Sequence, residues 1–228
     1  SENVTPTDPE TPTEPAGGTP SSWAVENVNT AVEAGIVPET LQSAYTQATT
    51  RAEFCALAVE LYETVMGTEI TERATFSDTT DVNVEKMAGL GVVNGVGDGR
   101  FDPNGQLTGY QFAKMLLGVV GYGVNDEYVG NNWALNVARD GATTGLFDDA
   151  TVTAGLIDRD NATQVAFNAL WSSLVAWSDL LGTYSMYYFN FGSQTLLGTL
   201  AKNIFGLTET ANKVDAYGYN TTAWRQNG

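Results

Sequence analysis

Three segments of the chain share one arrangement of apolar and polar positions. In each segment, apolar residues recur at helical spacing up to a glycine, a loop follows, and a short polar stretch begins a second apolar helix. The three first helices are expected to end at Gly35, Gly91 and Gly145. The three second helices are expected to begin after Thr50, Thr108 and Asp158. Because such units must pack on one another to bury their apolar faces, the pattern predicts a mainly α-helical body of three helix–loop–helix repeats.

The starts and ends of these helices divide the chain into three regions. We place the three units at about residues 21–67, 76–122 and 131–177. Residues 1–20 are rich in Pro, Thr and Glu, a composition that buries too little apolar surface to fold, so we expect a disordered linker. Residues 178–228 do not repeat the pattern, and we expect an extension that packs on the body.

Local patterns within the extension indicate mixed structure. The aromatic-rich stretch 184–191 predicts a strand or hairpin. Residues 196–205 have the pattern of a short helix that ends before a glycine. Residues 207–228 are polar, and we expect them to be irregular.

Polar residues at the helix ends support the helix predictions. Thr50 and Glu53 have the spacing of a capping box, in which each side chain bonds the backbone N–H of the other residue, and the second unit repeats this spacing. Ser21 or Ser22 is expected to cap the first helix. The apolar stripe of the last helix is expected to continue to Leu174.

The charge balance restricts the classes of partner. The chain has 27 acidic and 10 basic residues, which gives a net charge of −17. Nucleic acids and anionic lipid surfaces repel such a protein, so neither is an expected partner. No apolar run is long enough for a transmembrane helix. Cys55 is the single cysteine and the chain has no histidine, so Cys55 is interpreted as a core residue rather than a nucleophile.

Clusters of acidic residues do not predict catalysis or a metal site. Asp98 and Asp102 lack the spacing of a calcium loop and are interpreted as turn residues. The adjacent acids at 126–127 and 148–149 lie on predicted loops, whereas glycosidases hold two carboxyl groups across a cleft. We therefore expect no enzyme activity, no metal and no cofactor.

Two motifs carry a resemblance to a known family. The string from Gly91 to Pro103, GVVNGVGDGRFDP, and the helix start Thr50-Arg51-Ala52-Glu53-Phe54 resemble the S-layer homology (SLH) repeat. The resemblance implies three repeats in a pseudo-threefold arrangement. It also implies noncovalent anchoring of a surface protein to a bacterial cell wall, outside the cell, with a cargo domain in a full-length protein. The implied partner is an acidic secondary cell-wall polysaccharide, in many cases carrying pyruvate ketals.

The resemblance also implies ligand-binding grooves between neighbouring repeats. In that family the grooves are lined by an arginine, a tryptophan, glycine backbone and nearby acids. The matching positions in this chain are the arginines Arg51 and Arg159, the tryptophans Trp23 and Trp133, the tetrad residues Thr50 and Glu53, and the helix-end glycines Gly35 and Gly145.

The three copies differ at these positions. Gly109 replaces the arginine in the second unit, and Gln111 and Asn161 replace the glutamate in the second and third units. The glycine-rich loop is present in the second unit, whereas 38–42 and 148–151 stand in its place in the other two. Not every groove is therefore expected to bind a glycan.

Two interpretations of the arginines remain open. A cation in the first helical turn opposes the helix dipole, so Arg51 and Arg159 call for a further explanation. One is a carboxylate receptor made of the guanidinium and the free backbone amides of the helix start. The other is a salt bridge between repeats, for example to Asp78 or Asp149. If both arginines are receptors, replacing both with alanine should abolish glycan binding and leave thermal stability nearly unchanged.

Two further alternatives stay open at this stage. Trp23 and Trp133 are suited to stacking on sugar rings, but burial in the core explains them equally well. As a whole, the chain is either a glycan-binding anchor or a structural surface-layer or scaffold protein whose degenerate repeats bind protein partners instead of glycan.

Overall fold

The fold is mainly helical, as predicted. The computed structural model describes residues 18–173, 175–186, 189–191, 194–196, 207–214 and 220–226. Its helices are α1 (Val25–Glu33), α2 (Arg51–Met66), α3 (Val82–Gly89), α4 (Gly109–Val119), α5 (Trp133–Thr143) and α6 (Arg159–Ala169), with a 3₁₀ turn at Glu39–Leu41. None of these helices is long and apolar enough to cross a membrane.

The three second helices begin at the predicted cap residues. The Thr50 side chain accepts a hydrogen bond from the Glu53 amide, and the Glu53 carboxylate accepts one from the Thr50 amide at 2.9 Å. Thr108 and Gln111 form the same reciprocal pair at the start of α4. The Asp158 side chain caps α6 by accepting from the amide of the third helical residue. Both predicted capping boxes are thus confirmed.

The three first helices end at glycines in the left-handed conformation. Gly35, Gly91 and Gly145 have φ angles of 70°, 74° and 74°. This conformation is unfavourable for residues with a Cβ atom, so the glycines terminate the helices as the sequence predicts.

Each second helix packs on the first helix of the following unit. The neighbouring pairs are α2 with α3, α4 with α5, and α6 with α1, so the order of contacts closes on itself. The rings of Phe54 on α2 and Phe112 on α4 meet edge to face in the common core, with centroids 5.1 Å apart. Both side chains are fully buried, and each contributes about 1.5–3 kcal/mol of burial free energy.

A closed ring of backbone hydrogen bonds joins the starts of the second helices. The Thr49 amide donates to the Ile157 carbonyl (2.8 Å), the Ile157 amide to the Leu107 carbonyl (3.0 Å), and the Leu107 amide to the Thr49 carbonyl (3.0 Å). Each of these residues directly precedes a helix cap. The N-termini of α2, α4 and α6 therefore meet at one centre.

Two predicted helix limits are wrong. Neither Ser21 nor Ser22 caps α1, which begins at Val25 after Ala24 with no side-chain cap. The Ser21 amide donates to the Asp160 carboxylate, which fixes the segment before the helix on α6. The last helix ends at Ala169 rather than continuing to Leu174. The chain turns after α6, and β1 begins at Val175.

The extension consists of antiparallel strand pairs in the part that the structure describes. The pairs are β1 (Val175–Ser178) with β2 (Thr183–Met186), β3 (Phe189–Phe191) with β4 (Gln194–Leu196), and β5 (Leu207–Val214) with β6 (Asn220–Gln226). Strands in 184–191 agree with the prediction, but the prediction of irregular structure is wrong for 207–214 and 220–226. The β5 and β6 segments are polar yet contain several threonines, whose branched side chains favour strands. The predicted helix over 196–205 begins at a strand residue and otherwise falls outside the described residues, as do residues 1–17 of the predicted linker.

Candidate functional site

Arg51 joins the start of α2 to the glycine-rich loop of the second unit. Its Nε donates to the Phe101 carbonyl (2.9 Å) and its Nη2 to the Asn94 carbonyl (2.8 Å). The guanidinium carbon lies 4.3 Å from the centre of the Phe101 ring, within the range of a cation–π contact. Arg51 is half-buried, so its outer edge faces solvent while its inner edge holds the loop.

The salt bridge considered between Arg51 and Asp78 is not formed. The Asp78 carboxylate accepts from the amides of Phe101 and Asp102, both at 2.8 Å, and lies 3.7 Å from Arg100. The amide of Phe101, followed by that of Asp102 and the charge of Arg100, holds the pKa of Asp78 below its ordinary value. Asp78 therefore shapes the loop and leaves Arg51 without a carboxylate partner among the described side chains.

The backbone amides at the helix starts are already bonded within the protein. The Arg51 amide donates to the Gly105 carbonyl (2.9 Å) and the Ala52 amide to the Pro103 carbonyl (3.0 Å), while the third amide bonds the cap. The expectation that free amides assist a carboxylate receptor is therefore wrong for α2. The start of α6 is occupied in the same way, by the carbonyls of Gln47 and Tyr45.

Arg159 forms a nearly buried ion pair between the third and first units. The residue is 8 % exposed. Its Nη2 donates to Glu53 Oε1 at 2.5 Å, and its Nη1 donates to the Ser43 carbonyl at 2.8 Å. The contact agrees with the alternative that Arg159 forms a salt bridge between repeats. The acid is Glu53 rather than Asp149, which lies on an exposed turn. The same contact commits Glu53, whose other oxygen completes the capping box.

A cleft of about 500 Å³ lies alongside α4 and receives side chains from all three units. Arg51 comes from the first unit, Asn94 and Lys114 from the second, and Trp133 from the third, while Tyr128 lies on the loop that connects the second and third units. A second cleft of about 380 Å³ adjoins it and shares Asn94, Lys114 and Tyr128. The two clefts thus form one continuous depression across the second unit.

The cleft is locally cationic in a strongly acidic protein. Its lining contains Arg51 and Lys114 and no carboxylate. Lys114 Nζ donates to the Tyr128 carbonyl (2.9 Å) and lies 5.7 Å from the centre of the Trp133 ring. The other bases with described side chains all pair with acids; these are Arg73, Lys86, Arg100, Arg139 and Arg159. Among the bases whose side chains the structure describes, the two without an ion pair therefore share one cleft.

The segment at the centre of this cleft has a family match. Residues 76–113 match the family model of the S-layer homology domain. SLH domains occur in proteins of the bacterial cell surface, where they act as wall-anchoring modules that bind secondary cell-wall polymers, and they are not catalytic. No protein of curated function matches the chain.

The SLH segment contributes the loop and the first part of α4 to the cleft. Its turn residues Asp98 and Asp102 have positive φ angles, in agreement with their interpretation as turn-formers. No group of His, Cys, Asp or Glu suited to a metal ion occurs among the residues with described positions. Within the cleft the matched segment supplies the amide side chains of Asn94 and Gln111, whereas the two cations, Arg51 and Lys114, lie outside the matched residues.

The structure brings only part of the sequence-predicted site together. Arg51 and Trp133 line the cleft, and Trp133 is half-buried at its edge. Trp23 lines neither cleft and is 47 % exposed, so burial in the core is excluded for it. The remaining predicted residues lie outside both clefts; they are Thr50, Glu53, Arg159, Gly35 and Gly145. The helix-end glycine that does line the depression is Gly91, in the second cleft.

Lys114 is the main site residue that the sequence analysis missed. It lies three residues after the Gln111 of the capping box, at the position that Ala56 and Gln164 occupy in the other two units. A base that occurs in only one of three copies, in a chain with few bases, is the signal that was present in the sequence. Asn94 was missed because it is uncharged and lies in the glycine-rich loop, where its carbonyl accepts from Arg51.

The second unit has no equivalent of the arginine, and the structure shows the consequence. A Cβ atom on Gly109 would lie 2.6 Å from the Thr153 nitrogen and 2.8 Å from the Thr153 oxygen. The Gly109 amide donates to the Gly155 carbonyl at 2.9 Å. The loop of the third unit therefore lies directly on the start of α4 and leaves no room there for a side chain.

Proposed function

We propose that this chain binds an acidic secondary cell-wall polysaccharide in the cleft alongside α4 and so anchors a surface protein noncovalently to a bacterial wall. One observation carries this proposal: Arg51 and Lys114, the described bases that have no acidic partner, line the same cleft, and that cleft contains no acid. An unpaired cation pair in a protein of net charge −17 is suited to an external anion.

The chemistry of the cleft fits a sugar that carries a carboxylate. A guanidinium and an ammonium both donate charge-assisted hydrogen bonds to carboxylate oxygens. Trp133 offers an aromatic face beside them, which matches the C–H face of a pyranose ring. A volume of about 500 Å³ lies in the range of small-ligand sites. A pyruvate ketal, which places one carboxylate close to a sugar ring, satisfies all three features.

We further propose that all three helix–loop–helix units are SLH repeats in a pseudo-threefold body over residues 21–177, between a linker and the extension. The closed hydrogen-bond ring of Thr49, Leu107 and Ile157 supports this arrangement, as does the cyclic packing of helices. Only the Arg51 cleft is proposed to bind glycan. The equivalent position on α4 is covered by Thr153, and the one on α6 is occupied by the Glu53 ion pair.

The test is equilibrium binding of a monosaccharide that carries a pyruvate ketal, with its methyl ester as the uncharged control ligand. Arg51→Lys keeps the charge but loses the planar fork, and Lys114→Gln loses the charge. Each is expected to weaken binding about 10- to 100-fold, because a hydrogen bond to a charged group contributes about 1.5–3 kcal/mol. Raising the salt concentration should also weaken binding, since the clefts are open to solvent.

Arg73→Gln is the matched control, because it removes one positive charge from an ion pair with Glu69 outside the cleft. It should leave binding unchanged. Equal binding of the acid and its ester, or unchanged binding by both cleft variants, would refute the carboxylate site. If neither the monosaccharide nor purified wall polymer binds the parent protein, the scaffold alternative is favoured instead.

A further inference from the structure

One loop forms a wall of both clefts. Residues 121–130 connect α4 to the turn before α5. Tyr122, Gly123 and Val124 line the second cleft, and Tyr128 and Val129 line both clefts. The position of this loop therefore sets the width of the depression on the side of the third unit.

The hairpin of β1 and β2 holds this loop through Tyr184. The Tyr184 hydroxyl donates to Glu127 Oε1 and accepts from the amides of Gly123 (3.1 Å) and Val124 (3.2 Å). Its ring packs on Tyr122, with centroids 4.8 Å apart. The single side chain of Tyr184 thus contacts four of the ten residues of the loop.

A second contact fixes the start of the loop. The Val175 amide donates to the Val120 carbonyl at 3.0 Å, which places β1 directly on the end of α4. Gly121 has a φ of 106°, and a Cβ atom there would lie 1.9 Å from the Val175 oxygen. This close approach requires a glycine as the first loop residue.

Glu127, the carboxylate that Tyr184 contacts, also forms hydrogen bonds with the rest of the loop. Its carboxylate also accepts from the amides of Gly123 (2.7 Å) and Asn125 (3.0 Å). Its backbone carbonyl accepts from the Asn136 side chain on α5 (2.7 Å). The loop is therefore organised by one carboxylate, which accepts hydrogen bonds both from loop amides and from the Tyr184 hydroxyl of the hairpin.

We propose that Tyr184 is a positioning residue for the glycan site: the β1–β2 hairpin, which is not part of the helix–loop–helix pattern, orders the loop that completes the cleft before ligand arrives. This inference rests on the proposed function. A glycine-containing loop that is ordered only on binding would lower the affinity, whereas a loop held in advance removes that loss. Glycan affinity then depends on a residue that does not touch the glycan.

The experiment compares Tyr184→Phe with the parent protein. The variant keeps the ring on Tyr122 and removes only the hydroxyl. The control is Tyr110→Phe, which removes a phenol hydroxyl from a half-buried residue of α4 that lines neither cleft. Amide hydrogen exchange of residues 123–125 reports the order of the loop, and binding of the pyruvate-ketal monosaccharide reports the site.

Tyr184→Phe is expected to speed exchange at 123–125 about tenfold and to weaken binding about tenfold, with the urea midpoint of the helical body unchanged. Saturating ligand should restore slow exchange in the variant and change it little in the parent, since binding and loop order are reciprocally linked. A merely structural role would not produce this ligand-dependent recovery. The control should match the parent in all three measurements.

Three outcomes separate the ideas. Unchanged exchange in the variant overturns the inference, because the hairpin then does not order the loop. Faster exchange with unchanged affinity also overturns it, because loop order then has no effect on the site. If the parent binds no ligand although exchange responds as expected, the proposed glycan function fails and the hold of the hairpin on the loop is established by itself.

Discussion

The ion pair between Arg159 and Glu53 gives a sharp test of how the units are joined. The two residues are far apart in sequence and connect the third unit to the first. Side-chain exposure is 9 % for Arg159 and 20 % for Glu53. Arg159→Met removes the cation and keeps most of the volume, and Glu53→Gln removes the negative charge and keeps the shape.

Both replacements are expected to destabilise the protein strongly. Breaking a buried ion pair from one side costs about 3–5 kcal/mol, because the remaining charge has no partner. Arg159→Met is expected near 3 kcal/mol, since Glu53 is the more exposed partner and still accepts from the Thr50 amide. Glu53→Gln is expected near 4 kcal/mol, about a third or more of a typical total stability, because the more buried cation then has no anionic partner and bonds only neutral acceptors such as the Ser43 carbonyl.

Urea unfolding followed by circular dichroism measures these values. Each single variant should lower the midpoint by about 1–3 M, with an unchanged slope. The double variant should lose less than the sum of the two, because it leaves no unpaired charge. Arg139→Met removes an exposed guanidinium that pairs with the neighbouring Asp140; it is the control and should cost only about 0.5 kcal/mol. A loss below about 1 kcal/mol for both single variants would refute the structural role of the pair. For the same reason we expect alanine at Arg159 to lower the stability, in contrast to the sequence-based expectation that it stays nearly unchanged.

Two further predictions concern packing and pH. Gly109→Ala should destabilise the protein by about 1–3 kcal/mol in urea unfolding, because its Cβ atom would lie 2.6 Å from the Thr153 nitrogen. Gly118→Ala is the control, since no atom lies near the added carbon. Equal losses of stability in the two variants would contradict the close contact at Gly109. Burial acts to raise the pKa of Glu127, but hydrogen bonds from Tyr184 and from backbone amides outweigh it and lower that pKa below its ordinary 4.5. The stabilisation is therefore complete above pH 4.5 and lost as the pH falls through the lowered value, so acidification should destabilise the parent more than Glu127→Gln, and parallel pH profiles of the two would contradict this.

The helices were predictable because their starts and ends are local. The reciprocal bonds of Thr50 with Glu53 span three residues, so the spacing alone identifies them. The same holds for Gly35, whose left-handed conformation follows from its place after an apolar helix. The start of α1 was misplaced because no side chain caps this helix. The segment before it is held instead by the bond of the Ser21 amide to Asp160, and a contact across 139 positions leaves no local pattern.

The candidate site was predictable only in part, because it is made of contacts between units. Sequence matching identified Arg51 and Trp133, but it treated Arg159 as equivalent to Arg51. What distinguishes the two arginines is the partner of the guanidinium: the carboxylate of Glu53 accepts from Arg159, whereas Arg51 donates to carbonyl oxygens and lies over the Phe101 ring. That difference depends on which loop follows each helix in space, and the sequence spacing does not contain it.

The cyclic packing explains why the residue after the cap has different surroundings at each of the three similar helix starts. Each second helix begins against a loop of the following unit, so the residue after the cap always faces a neighbour's loop. At Gly109 the neighbouring loop lies against the helix itself, and at Arg159 the first unit supplies a carboxylate. At Arg51 the glycine-rich loop supplies carbonyl groups that fix the guanidinium without neutralising it. None of the described acids therefore neutralises this cation, and under the proposed function the loop, rather than the arginine itself, determines where the glycan binds.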